Sequence, residues 1–344
     1  MSKRGYTEGM TSVSRVEIPD GVRLHVEEYG DRAADLTVVF LHGWTLDSRL
    51  WRAQLTDLPG QLDDSVRTLA FDLRGHGRSA ACARHATTLA RLADDLAAVL
   101  DQRVPRGRVV LVGHSLGGMT IMEYADRHPD DFAARVAGVV LIATSAEGTT
   151  HTTYGLGPAG IGPALAWLIR RMELTGTSVL ARSGPWRPHR PVMPVLLPGV
   201  RWLGFGDVAD PEAVRLTASM IGSASLAAIG GFRPWIDAHD LVEALVRMRS
   251  LPGAVLVGSR DRLTPQACAE TIAAALPHAE RVVCPEAGHM LPLERPEVVT
   301  DAIARVCRQV LGTAPLRAGV RSRITALGRK TKHQVRQRPA GAES

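Results

Sequence analysis

Short apolar runs alternate along most of the chain with segments in which apolar residues recur every three or four positions. The runs are rich in Val, Leu and Ile, which is typical of strands that are buried on both faces of a sheet. The segments between them fit amphipathic helices with one apolar face. This alternation predicts βαβ units, and therefore an α/β fold with a mostly parallel sheet flanked by helices.

Pro19-Asp20-Gly21 favours a tight turn, so the first two strands should form an antiparallel hairpin at one edge of the sheet. The predicted strands are 13–18, 22–29, 36–41, 67–71, 108–112, 136–143, 254–258 and 281–283. The predicted helices between and after them are 48–58, 88–101, 116–128, a segment that ends near 275, and 296–311.

The alternation breaks between 143 and 254, where helical patterns recur and no strand pattern is convincing. This stretch is too long for an ordinary βα connection. We therefore expect a mostly helical insertion over 149–240 that acts as a lid, and we call it the helical insert. One of its helical patterns, at 163–174, places four apolar side chains on one face, Leu165, Leu168, Ile169 and Met172.

Two further patterns set helix starts near the end of the helical insert. Asp210 followed by Pro211 fits a helix with proline at its first position. Asp240 with Glu243 fits a capping box for a helix over 241–249. The chain then divides into a core at 13–148 and 241–314, the helical insert, and two ends, 1–12 and 315–344, that we expect to be disordered.

The helical insert contains many large apolar side chains. We expect most of them to pack between the insert and the core, and a minority to line a cleft. Three tryptophans among them favour a bulky apolar acyl or aromatic substrate. The residues concerned are Tyr154, Trp167, Leu168, Met172, Trp186, Met193, Trp202, Phe205 and Met220.

The formal net charge of +6 comes from the end of the chain. Residues 315–344 carry +7, so the remainder carries about −1 and gives no reason to expect binding to nucleic acid. We expect this tail to be a solubilising end, and weak contact with anionic membranes or nucleic acid is the alternative. Its charged residues are Arg317, Arg321, Arg323, Arg329, Lys330, Lys332, Arg336, Arg338 and Glu343.

The 344 residues, of which 45% are hydrophobic, suffice for one large α/β domain with an insertion. No apolar run is long enough to predict a membrane span, and the N-terminus lacks the apolar stretch of a secretory signal. We therefore expect a cytoplasmic protein, and no pattern indicates its oligomeric state. The cysteines are expected to be free thiols, because they show no metal-like pairing, at Cys82, Cys268, Cys284 and Cys307.

A Gly-x-Ser-x-Gly sequence, 113–117, lies where a predicted strand meets a predicted helix. A sharp turn at Ser115 needs residues without bulk two positions away on each side, which Gly113 and Gly117 supply. The serine Oγ is then exposed near a helix N-terminus, which favours negative charge. This context predicts that Ser115 is a nucleophile, and the alternative is a solvated serine in a glycine-rich loop.

Two further polar side chains follow strands that should end at the same edge of the sheet. Asp261 comes just after 254–258, and His289 a few residues after 281–283. A serine nucleophile needs a base to take its proton and an acid to orient the base. We therefore predict a triad of Ser115, His289 and Asp261, in the chain order Ser, Asp, His. Glu147, after 136–143, is the alternative acid.

The reaction would also need N–H donors for a developing oxyanion, each worth about 3 kcal/mol. We expect the backbone N–H of Leu116, directly after the nucleophile, to be one donor. The N–H of Trp44 should be the other, because it follows His42-Gly43 at the end of the strand 36–41.

Several other polar residues lie in these loops. We expect them to hold loop backbone by hydrogen bonds rather than to take part in catalysis. They are His42, Asp72, His76 and His114.

Five motifs occur in order over about residues 13–311, and together they resemble the α/β-hydrolase superfamily. They are His42-Gly43-Trp44, the sequence Asp-Leu-Arg-Gly-His-Gly-Arg-Ser at 72–79, 113–118, the stretch 258–265 around Asp261, and Gly288-His289. The pattern is similar to the branch of cofactor-free haloperoxidase/perhydrolase-like proteins, carboxylesterases, lactonases and C–C bond hydrolases. Epoxide hydrolases and haloalkane dehalogenases use an aspartate nucleophile, whereas this chain has Ser115.

The residues and the resemblance together imply a serine hydrolase of the carboxylic ester class. It would cleave an ester, thioester or lactone of a fairly apolar small molecule through an acyl-enzyme, with no cofactor and no metal. The same triad also serves acyl transfer, perhydrolysis or C–C bond hydrolysis. A non-catalytic binding protein with a hydrolase-like fold is a remote alternative.

Overall fold

The computed structural model describes residues 10–62, 66–156, 161–188 and 193–312. Within them, eight strands form one sheet in the order β1-β2-β4-β3-β5-β6-β7-β8. β2 pairs antiparallel with β1 and with β4, and all the other pairs are parallel. The predicted fold class and edge hairpin are thus confirmed. The strands are Met10–Glu17, Arg23–Tyr29, Leu36–Leu41, Val66–Phe71, Arg108–His114, Val136–Ile142, Gly253–Gly258 and Ala279–Cys284.

Helices cover both faces of the sheet. Val39 and Leu41 of β3 pack in the cluster that contains the helices Leu89–Arg103, Leu116–Arg127 and Gln266–Ala275. Val38 and Phe40 pack in the cluster that contains the helices Arg52–Gln61 and Pro296–Leu311. Successive side chains of a strand point to opposite faces, so a sheet covered on both sides needs apolar residues at every position. This is why the strands are recognisable in the sequence as apolar runs.

The helices follow the sequence prediction closely in the core. The closing helix, for example, has the predicted bounds. The helices α1 to α11 are Arg52–Gln61, Leu89–Arg103, Leu116–Arg127, Pro129–Arg135, Gly162–Leu180, Met193–Gly204, Pro211–Ser223, Leu226–Ala238, Gln266–Ala275, Leu291–Glu294 and Pro296–Leu311. Short 3₁₀ helices are Ser48–Trp51, Arg84–Ala86, Ala181–Ser183 and Glu243–Met248.

Three local predictions differ from the structure. β1 begins at Met10 rather than at 13, because Met10 and Ser12 still pair with β2, with a register shift between them. The short helix α4 was not predicted. The segment 241–249 contains a 3₁₀ helix rather than an α-helix, and Asp240 accepts the N–H of Val242 (3.3 Å), so the capping-box prediction is wrong.

The helices α5 to α8 of the helical insert lie between β6 and β7. α5 packs closely against α8, since a Cβ on Gly230 would lie only 2.0 Å from the carbonyl oxygen of Thr177. The small residues of α5, Ala166 and Thr177, are buried, and its large apolar side chains therefore point away.

The expectation that most large apolar side chains of the helical insert pack on the core is therefore wrong. Tyr154, Phe205 and Met220 are buried as expected. The side chain of Met193 lies outside the described residues. The other five are exposed: Trp167, Leu168, Met172, Trp186 and Trp202.

No single described helix is both long and apolar enough to cross a bilayer. The helices α7 and α8 meet that length and composition only as a pair, and they are bent by 101°. Residues 1–9 and 313–344 lie outside the described residues, so the predictions for the N-terminal end and for the basic tail stay predictions.

Candidate active site

Ser115 sits in a strained turn between β5 and α3. Its φ of 51° and ψ of −116° lie in a region that non-glycine residues rarely adopt. The turn is held from the neighbouring strand, because the N–H of Ser115 donates to Ile142 (3.0 Å) and the Thr144 hydroxyl donates to the Ser115 carbonyl (2.7 Å). Strain of this kind persists only where the surroundings enforce it, and it aims the serine side chain at the cleft.

The two glycines of the motif are required by close backbone contacts. A Cβ on Gly113 would lie 2.6 Å from the carbonyl carbon of Gly117. A Cβ on Gly117 would lie 2.2 Å from the carbonyl oxygen of Leu41. The prediction that these positions exclude side chains is therefore confirmed by the geometry.

His289 and Asp261 are in direct contact at the carboxyl edge of the sheet. The Nδ1 of His289 lies 2.9 Å from Oδ2 of Asp261. This bond assigns the proton to Nδ1 and leaves Nε2 as an acceptor. Thr264 adds to the arrangement, because its hydroxyl donates to the same Oδ2 (2.9 Å) and lies 3.2 Å from His289 Nδ1.

Asp261 is buried, and burial alone would raise its pKa. The interaction with His289 outweighs this effect, together with the backbone N–H groups of Leu263 (2.9 Å) and Thr264 (2.8 Å), which donate to Oδ1. The pKa of Asp261 is therefore below its ordinary value, and the carboxylate is ionised at neutral pH. The predicted alternative, Glu147, instead contacts Thr271 (3.0 Å) and His151 (3.3 Å).

Trp44 and Leu116 both lie near Ser115. Trp44 follows Gly43, where a Cβ would be 3.1 Å from the Cβ of Ser115, and Leu116 is the first residue of α3. Among the described residues, neither backbone N–H has a hydrogen-bond acceptor. The role of these two N–H groups as oxyanion donors stays a prediction.

The loop histidines hold backbone, as expected. Nε2 of His42 accepts the N–H of Leu73 (2.9 Å), and its Nδ1 lies 2.8 Å from the carbonyl of Gly43. Nδ1 of His76 lies 2.9 Å from the carbonyl of Arg74, and Nε2 of His114 lies 2.9 Å from that of His289. Burial lowers the pKa of His42, and lowers that of His76 and His114 to about 3, so these rings are neutral.

Asp72 anchors its loop in the same manner. It accepts the N–H of Ser48 (2.7 Å) and that of Arg78 (2.7 Å). Glu294, which the sequence analysis did not single out, holds the His289 loop, since it accepts the N–H of Gly288 (2.9 Å) and that of Gly206 (2.8 Å) from the helical insert.

Ser115 and His289 open into a cleft with two compartments. The larger has a volume of about 350 Å³ and is mostly apolar, with Leu196, Val200 and Leu203 from α6 on its wall. The smaller has a volume of about 80 Å³ and is more polar. Trp44, Ser115, Glu173, Leu263 and His289 line both compartments.

The polar character of the smaller compartment comes from a cluster that sequence analysis missed. The buried guanidinium of Arg233 contacts Glu173 (3.0 Å), and the hydroxyl of Tyr154 donates to the same carboxylate oxygen (2.8 Å). Burial and the nearby carboxylate raise the pKa of Tyr154, so its hydroxyl stays protonated. These residues lie up to 79 positions apart, and no local pattern connects them.

The four cysteines are free and buried, as expected, and burial raises the pKa of each thiol. In the part of the chain that the structure describes, no three His, Cys, Asp or Glu side chains are grouped as metal ligands.

The sequence matches the model of the alpha/beta hydrolase family over residues 38–302. The chain belongs to this family. It is 30% identical over 279 residues to the pimeloyl-[acyl-carrier protein] methyl ester esterase of Aromatoleum aromaticum, an alignment that covers 79% of this chain and 98% of the relative. This α/β-hydrolase is also 38% identical over 128 residues to a bifunctional esterase/perhydrolase of Acinetobacter calcoaceticus, but that match spans 37% of this chain and 43% of the relative.

Solved structures agree with the family assignment. A thermophilic esterase from Thermogutta terrifontis superposes with a TM-score of 0.68 and 27% identity, covering 87% of this chain and 99% of the esterase. The predicted resemblance is thus confirmed, and the chain is a member of the alpha/beta hydrolase family with esterase-named relatives.

Proposed function

We propose that this α/β-hydrolase is a serine hydrolase that cleaves an ester, thioester or lactone of a fairly apolar small molecule. The observation that carries the proposal is the hydrogen bond between His289 and Asp261, because His289 lines the same cleft as Ser115. The strained backbone of Ser115 supports it, because such strain clusters at functional sites.

The proposed reaction begins with attack of the Ser115 Oγ on the substrate carbonyl. Nε2 of His289 takes the serine proton, and the ionised Asp261 stabilises the imidazolium that results. The oxyanion accepts hydrogen bonds from the N–H groups of Trp44 and Leu116. Collapse breaks the carbonyl bond to the leaving group, which receives the proton from His289. Water, activated by the same histidine, then releases the acyl group from Ser115.

We infer from the two compartments where the acyl chain and the leaving group of the substrate would bind. The larger apolar compartment suits an acyl chain, because its walls offer few hydrogen-bonding partners to a polar group. The smaller compartment, with Tyr154, Glu173 and Arg233, suits a small polar leaving group. The exposed tryptophans of the helical insert do not line either compartment, so they give no support to an aromatic substrate.

Replacing the nucleophile tests the proposal. The Ser115→Ala variant should lose about 10⁵- to 10⁶-fold in kcat on a p-nitrophenyl ester, as removal of a triad serine does elsewhere. Circular dichroism should show an intact fold. A fluorophosphonate probe should label the parent chain at Ser115 and leave the variant unlabelled. Full activity in the variant would contradict the nucleophile, and an unlabelled folded parent would favour a binding protein.

Perhydrolysis is the second candidate, favoured by the match to a bifunctional esterase/perhydrolase. Hydrogen peroxide would then replace water as the acceptor of the acyl group, and a peracid would be released. Assaying peracid and free acid together, from one ester with and without peroxide, separates the two reactions.

A further inference from the structure

The helix α5 turns its apolar face toward solvent. Its apolar residues recur at intervals of three, four and seven positions, which places them in a single row along the helix. We call this row the apolar stripe: Ile161, Leu165, Leu168, Met172 and Val179, with exposed fractions of 82%, 40%, 46%, 66% and 61%. A soluble helix normally packs such a row inward, yet no described part of the chain covers it.

The helix α6 also carries an exposed apolar side chain at the cleft. Val195 is 80% exposed and also lines the larger compartment. Two exposed tryptophans accompany it, Trp167 beside the apolar stripe and Trp202 on α6. Tryptophan is the residue that is most typical of the boundary between water and lipid.

The sequence of this region is rich in positive charge. Residues 161–204, which contain both helices, have six arginines and one acid, Glu173, for a formal charge of +5, although Arg170 pairs with Asp237 (2.6 Å) and Arg187 donates to the carbonyls of Gly77 and Ser79. Because the tail 315–344 carries +7 and the whole chain +6, the rest of the chain carries −6. Arg171, next to Met172, and Arg182 are exposed, and the guanidinium of Arg262 lies 4.3 Å from the ring centre of Trp202.

We propose that this face of the helical insert docks on an anionic lipid surface. The combination of an exposed apolar row, tryptophans and positive charge is that of helices that lie in the plane of a membrane interface. The positive charge argues against two other partners for this face, the chain's own tail and a second copy of the chain. The chain's own basic tail would be repelled, and a symmetric pairing of two copies through this face would bring the exposed arginines of the two copies, Arg171 and Arg182, together.

Docking in this orientation would join the lipid phase to the cleft. An apolar acyl substrate dissolved in the lipid could reach the larger compartment past Val195 without crossing water. This route rests on the proposed function, whereas the binding itself does not.

Flotation with lipid vesicles tests the binding. The full chain carrying Ser115→Ala should bind vesicles that contain phosphatidylglycerol at least about tenfold more tightly than vesicles of phosphatidylcholine alone, and tryptophan emission should shift to the blue. Leu168→Ser with Met172→Ser should weaken binding by about tenfold or more, because two apolar side chains no longer enter the lipid. Arg171→Gln with Arg182→Gln should weaken it about tenfold and reduce its salt dependence.

The matched control is Val246→Ser with Arg249→Gln, two exposed residues outside the helical insert. These substitutions should leave vesicle binding unchanged. A second comparison replaces Arg317, Arg321, Arg323 and Arg329 by Gln in the full chain. Three results overturn the proposal: equal binding to both kinds of vesicle, binding that depends on the tail arginines but not on the apolar stripe, and stripe-dependent dimers in analytical ultracentrifugation without vesicle binding. Since Ser115→Ala is used throughout, these results do not depend on whether the hydrolysis is correctly assigned.

Discussion

The core buries most of its large apolar side chains, whereas the helical insert exposes many of its own, although both contribute residues to one cleft. Of the thirteen large apolar side chains that are exposed in the described residues, eleven belong to the helical insert. The core brings Ser115 and His289 to the cleft, and the helical insert brings Leu196, Val200 and Glu173.

The difference separates two requirements of an enzyme of this kind. Reacting groups need fixed positions, and the core fixes them by burial and by hydrogen bonds from several elements, as around Asp261. Substrate recognition needs accessible surface, and the helical insert supplies it with helices that pack on each other through small residues such as Gly230. In the proposed hydrolase, the core would thus determine the chemistry, and the helical insert would determine what reaches it.

The largest expected effect tests whether the core supplies the acid that orients His289. In the Asp261→Asn variant the side-chain amide would donate to Nδ1 and place the histidine proton on Nε2, which can then no longer accept from Ser115. We expect kcat on a p-nitrophenyl ester to fall about 10⁴-fold. Steady-state kinetics and a thermal melt would be measured side by side.

The matched control is Glu147→Gln, since Glu147 is the other carboxylate near this edge. It keeps one oxygen that can accept from the hydroxyl of Thr271, and kcat should stay within about threefold of the parent. A large loss in Glu147→Gln with little change in Asp261→Asn would reverse the assignment of the acid.

The sequence was sufficient to predict the strands of the core, because these strands are buried on both faces. Runs such as 36–41 and 108–112 have few other interpretations, and side chains just beyond parallel strands must share an edge. The contact between His289 and Asp261 follows from that rule, although 28 residues separate them. Their catalytic roles stay predictions.

The sequence was insufficient to predict how the helices of the helical insert pack, and the reason is also physical. Periodicity places Leu165, Leu168 and Met172 on one face of α5, but it does not say whether that face points to the core or to solvent. The small residues Thr177 and Gly230 decided the packing instead. The contact of Leu263 with Asp261 could have been found, because an aspartate side chain commonly accepts the backbone N–H two residues further on.

A pair of identical substitutions sharpens the comparison of the two regions. Leu96 on α2 is fully buried, and Leu168 on α5 is 46% exposed. Leu96→Ala should lower the free energy of unfolding by about 2–5 kcal/mol, because it removes buried methyl groups and leaves a cavity. Leu168→Ala should change it by less than about 0.5 kcal/mol. Urea unfolding checks both, and a comparable loss at Leu168 would mean that the apolar stripe is covered within the chain.

The smallest expected effect is on the pH dependence of the free energy of unfolding, and it should come from a buried histidine of the core. His76 is buried beside His42, and burial holds its pKa near 3, below the ordinary 6.5. Between these values the unfolded chain binds a proton that the folded chain does not, so stability is complete above pH 6.5 and is lost as the pH falls toward 3. One such histidine contributes up to about 1.4 kcal/mol per pH unit.

His76→Asn keeps a donor for the carbonyl of Arg74 but no longer titrates. Its free energy of unfolding, measured in urea at pH 7 and at pH 5, should therefore depend on pH less steeply than that of the parent, by up to about 1.4 kcal/mol per unit. His114 has its pKa lowered in the same way, so part of the pH dependence should persist in the variant. An unchanged slope would show that His76 becomes protonated in the folded chain, and that the core accommodates a charge at this position.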